Sequence, residues 1–284
     1  MNILETNPEN GYPSTFNGLL KLVEKLRGPD GCPWDQKQTR ESFRNQFLEE
    51  TYELIDALDE GDNGSICEES GDVLLHIAFQ IQLAKELDLF SETLVFKYII
   101  DKLINRHPHV FEGAEIKDEK HLLKNWDDIK KTEKTHSNYK SILDGIPKAM
   151  SSLSVSQKMQ KRVERVNFDW KDVDGVLKKI SEEISEFNKS ETDADREHEL
   201  GDILFSIVNL CRWNNIDAES ALRKSNKRFE KRFKFIEESC EKQGRSVDGL
   251  SLSEQDDLWE KAKLENNQSN NQIGLLCSKM RLKD

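Results

Sequence analysis

Apolar residues recur along this chain three and four positions apart, the spacing of a single helix face. Phe16, Leu19, Leu20, Val23 and Leu26 form the first such stripe. RGPDGCPWD at 27–35, with two prolines and two glycines, breaks it. A second stripe covers about 41–60, with Phe43, Phe47, Leu48, Ile55 and Leu58 as expected core positions, and GDNG at 61–64 ends it. The next helices are expected over about 65–87, from an N-cap at Ser91 to about 105, and over 121–134. RHPHVFEG at 106–113 reads as a loop, and 135–156 is mixed. The order then returns in compressed form, with helices over about 172–190, 194–213, 217–243 and 253–265. No segment shows strand-like alternation, so the fold class is all-α.

The return is a repeat of chemistry as well as of pattern. LEETYEL at 48–54 and ESGD at 69–72 reappear as SEEISEF at 181–187 and ELGD at 199–202. Glu50 and Glu183 stand 133 residues apart, as do Trp126 and Trp259, and Lys130 and Lys263, while Asp72 and Asp202 stand 130 apart. The expected organisation is a lead-in over 1–14, a domain over 15–140, a second domain over 141–265, and a disordered Asn- and Gln-rich tail over 266–284.

Residues three apart share a helix face. Glu50 and Glu53 therefore project together, and so do Glu69 and Asp72. Packed across the short GDNG turn, these four carboxylates meet. Such a cluster repels itself unless a cation neutralises it, and carboxylates without His or Cys suit Mg²⁺ or Mn²⁺. A lone ExxE is ordinarily a solvated acidic face. ExxE followed by ExGD, twice in matching places, points instead to a metal site. A di-iron bundle needs Glu-x-x-His pairs, and neither copy has one. Gly71 and Gly201, one residue before each Asp, cost helix stability and are expected to permit close helix approach.

At these residues the chain resembles the MazG-type nucleoside triphosphate pyrophosphohydrolases. The resemblance runs from about Phe16 to Glu265, through LRGPDGCPWDQKQTRESFRNQFLEETYELIDAL, ESGDVLLHIAFQ, KLINRHPHVF and NWDDIKK in the first half. In the second half it runs through QKRVERVNFDW, KISEEISEF, ELGDILFSIVNL and NKRFEKRF. It implies tandem helical-bundle domains, usually dimeric, that use Mg²⁺ to hydrolyse NTPs and dNTPs of broad base range to monophosphate and pyrophosphate. The implied metal ligands are Glu50, Glu53, Glu69 and Asp72 in one set and Glu183, Glu186, Glu199 and Asp202 in the other. Glu49 and Glu182 are candidates for orienting or deprotonating the water that attacks the α-phosphorus.

A triphosphate needs cationic partners too. Lys179 stands one turn before Glu183, and Arg228, Lys231 and Arg232 follow downstream. The family pattern has Lys where Arg228 stands. KRFEKRF also reads as a solvated amphipathic face with Phe229 and Phe233 in the core. Asn209, two turns after Asp202, can reach the same pocket, whereas its first-half counterpart, Phe79, cannot hydrogen-bond a nucleotide. Trp259 and Lys263 are candidates for a base and a phosphate, although a Trp here serves equally well as core. Lys102, Arg106, Trp126 and Lys130 form the analogous first-half set, and His107 and His109 read as structural or capping. The second half is therefore the expected main catalytic site. The competing reading is a helical module that binds metal and nucleotide and signals without hydrolysis.

The charge balance narrows the partners further. A net charge of −12 argues against bulk nucleic-acid binding. Five widely spaced cysteines without a CxxC argue against a disulfide framework or a zinc site and fit a reducing cytoplasm. The N-terminus lacks a basic region followed by an apolar run, and no stretch is long and apolar enough for a membrane span.

Overall fold

A computed structural model describes residues 11–115 and 140–265, together with residues 122, 126 and 129. Most of the lead-in, most of the helix expected over 121–134, Lys130 and the tail from 266 lie outside the described residues. The chain divides into two compact units between Glu133 and Lys134. Among the described residues there is no strand.

In the first unit, α1 (Phe16–Arg27) starts at Thr15, whose hydroxyl accepts from the Gly18 amide at 3.1 Å. A short α2 (Pro33–Gln36) begins inside the loop expected over 27–35 and runs one residue past it. α3 (Phe43–Glu60) and α4 (Asn63–Glu86) form an antiparallel hairpin. Gly61 turns the chain with φ of 74°, a left-handed conformation that favours glycine. Asp62 then caps α4 by accepting from the Gly64 and Ser65 amides. α5 (Glu92–Arg106) and α6 (Pro108–Phe111) follow. Both α1 and α3 pack on α4, around Val23, Phe43, Ala78 and Phe79.

The second unit opens with α7 (Ser152–Glu164), a helix not expected from the sequence. The chain there is dominated by Ser, Gln, Lys and Arg, and Gln157 and Gln160 occupy buried positions that apolar residues normally mark. Gln157 donates to the Ile216 carbonyl and accepts from the Ala218 amide. Gln160 donates to the Phe205 carbonyl. Hydrogen bonds rather than apolar periodicity hold this helix to its neighbours. α8 (Val173–Lys189) and α9 (Asp193–Trp213) make the second hairpin, with a reciprocal capping box between Thr192 and Asp195. α10 (Ala218–Lys242), a 3₁₀ turn (Val247–Gly249) and α11 over 252–265 complete the unit. Ile236, Cys240 and Leu250 form a small core there, with Trp259 packed against it.

Three readings of the sequence fail. Within one chain only Phe43 of the α3 stripe is buried, at 3% exposure, while Leu48 and Leu58 are exposed; α4 covers one side of α3, and among the described residues no other helix packs closely on it. Nor do the glycines permit close helix approach within the chain, since a Cβ built at Gly71 or Gly201 meets nothing within 4 Å. Phe229 and Phe233 are likewise exposed, stacked on each other at 6.1 Å.

Candidate active site

Each hairpin brings its acidic motifs together. Glu50, Glu69 and Asp72 place one carboxylate oxygen each within 4.8 Å of one another, and Glu183, Glu199 and Asp202 do the same. Glu53 and Glu186 stand beside these groups, Glu53 against Glu50 and Glu186 against Glu183. Desolvation, then repulsion from Glu53, Asp72 and Glu69, pushes Glu50 above the ordinary carboxylate range. Glu69 rises by desolvation and by its acidic neighbours, and Glu186 by desolvation and by Glu183 and Glu199. The protein thus assembles carboxylates at an electrostatic cost that a hard cation would relieve. An all-oxygen donor set fits Mg²⁺ or another hard divalent ion.

The surroundings of the two clusters differ. Glu183 is 4% exposed, and Lys179 meets it at 2.7 Å while also reaching Glu182 at 2.9 Å. These two glutamates hold the lysine far above its usual pKa, Glu183 being the larger cause. Glu49 and Glu182, the expected water-orienting residues, are both exposed. In the first unit the position corresponding to Lys179 is Gln46. Glu50 faces His76 instead, with Oε1 3.8 Å from Nε2. His76 is buried, burial lowers its pKa, and its Nδ1 has no hydrogen-bond partner.

The walls beyond the acids also differ. Phe79 is core, stacked on Phe43 at 4.4 Å. Asn209, at the matching place, is half-buried, and its Oδ1 accepts from the Arg212 Nε at 2.9 Å. Arg212 is buried and also binds Glu164 at 2.9 Å and Asp169 at 2.5 Å. The Trp213 indole donates to the same Asp169 oxygen. Sequence reading missed Arg212, Asp169, Glu164 and His76. The i+3 relation to Asn209 and the i+4 relation to Asp72 were the available signals for Arg212 and His76, whereas Glu164 and Asp169 reach the site only through tertiary packing.

α10 packs on α7, on α9 and on the 3₁₀ turn. Among the described residues no ion pair joins Arg228, Lys231 or Arg232 to Glu183, Glu186, Glu199 or Asp202. Arg232 lies over the Trp259 ring at 5.4 Å, and its Nε is buried without a hydrogen-bond partner. Trp259 also meets Phe229, and Lys263 pairs with Glu260 at 2.5 Å. A cavity of about 640 Å³ opens beside them, lined by Phe229, Phe233, Asp256 and Trp259. The His107 Nδ1 lies 2.7 Å from the Leu103 carbonyl oxygen.

Residues 38–111, which contain the first hairpin, match the MazG nucleotide pyrophosphohydrolase domain. The nucleoside triphosphate pyrophosphohydrolase/pyrophosphatase MazG of Thermotoga maritima is 44% identical over 248 residues, covering 87% of this chain and 95% of that protein. The chain belongs to the MazG family. The nucleoside triphosphate pyrophosphohydrolase of Escherichia coli is 37% identical over 86% of this chain and 95% of its own length. YabN of Bacillus subtilis, described as uncharacterised, is 42% identical over 87% of this chain, which spans 51% of it. Of the two acidic clusters, that of Glu50, Glu69 and Asp72 lies within the matched residues. Among the described residues no helix is long and apolar enough to cross a membrane.

Proposed function

We propose that this chain hydrolyses nucleoside triphosphates, NTPs and dNTPs of broad base range, to the monophosphate and pyrophosphate, chiefly in its second unit. The observation that carries the reading is the Glu183, Glu199 and Asp202 cluster on one hairpin, with Lys179 against it. Glu183, Glu186, Glu199 and Asp202 would hold Mg²⁺, with Mn²⁺ as a substitute. The cation supplies charge neutralisation and Lewis acidity at the phosphate oxygens. Glu182 orients or deprotonates the attacking water. A new oxygen–phosphorus bond forms at the α-phosphorus, the bridging bond to the β-phosphate breaks, and pyrophosphate leaves. Lys179, Arg228, Lys231, Arg232 and Lys263 offset charge on the phosphates, and Trp259 offers a stacking face for the base. The first-unit cluster keeps its carboxylates but has Gln46 for Lys179 and Phe79 for Asn209, so it holds metal and contributes little turnover.

The tandem arrangement of two MazG-like domains and a homodimer complete this reading. Leu74 and Leu204, each three residues after a glycine that faces open space, are exposed, as are Leu177, Ile184, Leu200 and Ile207. That apolar surface on the two hairpins is well suited to a second copy. Cys32, Cys67, Cys211 and Cys240 are free thiols, which favours a reducing cytoplasm.

The test is product analysis with mixed NTPs and Mg²⁺. Pyrophosphate and monophosphate are expected, and chelation of the metal should stop their release. Orthophosphate with diphosphate, or nucleotide binding without turnover, would sink the proposal.

A further inference from the structure

We propose that Arg212 is a positioning residue that fixes Asn209 as a hydrogen-bond donor, so that the second-unit site selects a nucleoside through an acceptor oxygen. The inference rests on the nucleotide reading of that site.

A guanidinium has five donors and no acceptor. The amide atom that meets the Arg212 Nε at 2.9 Å must therefore be the Asn209 oxygen. That leaves the Nδ2 group, two N–H donors, as the part of Asn209 offered elsewhere. Among the described residues no hydrogen bond from Nδ2 is present. An unrestrained asparagine offers either end of its amide and reads donors and acceptors alike. Here the arginine removes one of those choices.

The arginine itself is fixed. Its other two nitrogens are held by Glu164, the last residue of α7, and by Asp169 in the VNFDW loop. Its side chain is 6% exposed and Asp169 is 18% exposed, so the bond to Asp169 is largely shielded from solvent, while Glu164 closes the outer side. Two carboxylates against one guanidinium keep the fork oriented. Asn209 lies two helical turns from Asp202, a rise of about 10 Å on the same face. A triphosphate held at the acidic cluster would extend its nucleoside along that face. In the first unit the matching positions are Phe79, in the core, and Gln82, whose amide donates to Glu86. That unit has neither the donor nor the arginine.

The acceptor is either a sugar hydroxyl oxygen or a base carbonyl. The test uses non-hydrolysable α,β-methylene nucleoside triphosphate with Mg²⁺, titrated calorimetrically against the full chain. Turnover of the natural NTP is followed separately, so absent hydrolysis would fall on the proposed function alone. Asn209→Asp keeps the bond to Arg212 and replaces the donor by an acceptor. It should weaken analogue binding more than tenfold, and more than Asn209→Ala does, with the melting temperature little changed. Arg212→Gln allows the amide to turn over and should weaken binding to about the level of Asn209→Ala. If Asn209→Asp stays within twofold of wild type, or if Arg212→Gln lowers only the melting temperature, the inference is overturned. Ribo, 2′-deoxy and 2′,3′-dideoxy analogues separate the two sources. Discrimination among sugars that disappears in Asn209→Ala assigns the sugar oxygen, and discrimination that persists assigns the base carbonyl.

Discussion

The two hairpins are one acidic scaffold finished in two ways. Positions 50, 53, 69 and 72 return as 183, 186, 199 and 202 with the same side chains or the same charge. Their neighbours do not return. The first unit surrounds its carboxylates with Gln46, His76, Phe79 and Gln82, and the second with Lys179, Ser206, Asn209 and Arg212. In the first, the position two turns past the aspartate builds the core by stacking Phe79 on Phe43. In the second, the same position carries an amide oriented by a buried arginine. A duplicated acidic scaffold is thus separable from the side chains that wall it.

The largest effect should come from breaking one cluster at a time. Glu183→Ala removes the carboxylate central to both the acidic group and the Lys179 pair. Pyrophosphate release should fall by about a thousandfold, near 4 kcal/mol in transition-state terms. Glu50→Ala should leave most of the activity. The measurement is steady-state pyrophosphate release by the full chain, and a reversal of the two effects would move the catalytic centre to the first unit.

A smaller effect of opposite sign should appear in metal-free stability. Glu50 is pushed up by desolvation and then by Glu53, Asp72 and Glu69, so its ionised form opposes folding. Its contribution is most favourable below the ordinary carboxylate value and is lost as pH rises through the raised one. Glu50→Gln should therefore raise the melting temperature in chelator at neutral pH, and the gain should vanish on acidification below about pH 4.5. Lys179 is shifted up, chiefly by Glu183, so its contribution is present in full below the ordinary lysine value. Glu183→Gln should cost about 1–2 kcal/mol at neutral pH, a figure already reduced because the lysine is one-third exposed. Thermal melts of both variants in chelator decide it. Two shifts of the same sign would mean that the clusters are electrostatically equivalent.

The legible part of this molecule was the part written in local spacing. Carboxylates three apart, Gly61 and the caps are within-helix signals, and the hairpins bring Glu50 with Asp72 and Glu183 with Asp202 as the spacing requires. α7 was not legible, because its buried face carries Gln157 and Gln160, whose value lies in backbone groups more than 40 residues away. Arg212 was illegible for the same reason, since two of its three partners arrive from α7 and the loop after it. Of the apolar stripe of α3 only Phe43 is core within the chain, for periodicity records which positions share a helix face and not how much of that face a neighbour covers.

That distinction gives the smallest and most discriminating test. Among the described residues Gly71 and Gly201 open onto empty space, each about one helical turn from an exposed leucine, Leu74 or Leu204. On a free helix face, alanine gains about 1 kcal/mol over glycine. Against a second copy packed on that face, the added methyl meets a neighbour and the gain becomes a loss. The proposed dimer predicts the second result. Gly201→Ala should lower the melting temperature and shift sedimentation toward monomer, and Gly71→Ala should do the same in the first unit. A melting temperature that rises by several degrees in either variant, with no change in sedimentation, would place that glycine on a solvent face and remove its hairpin from the interface.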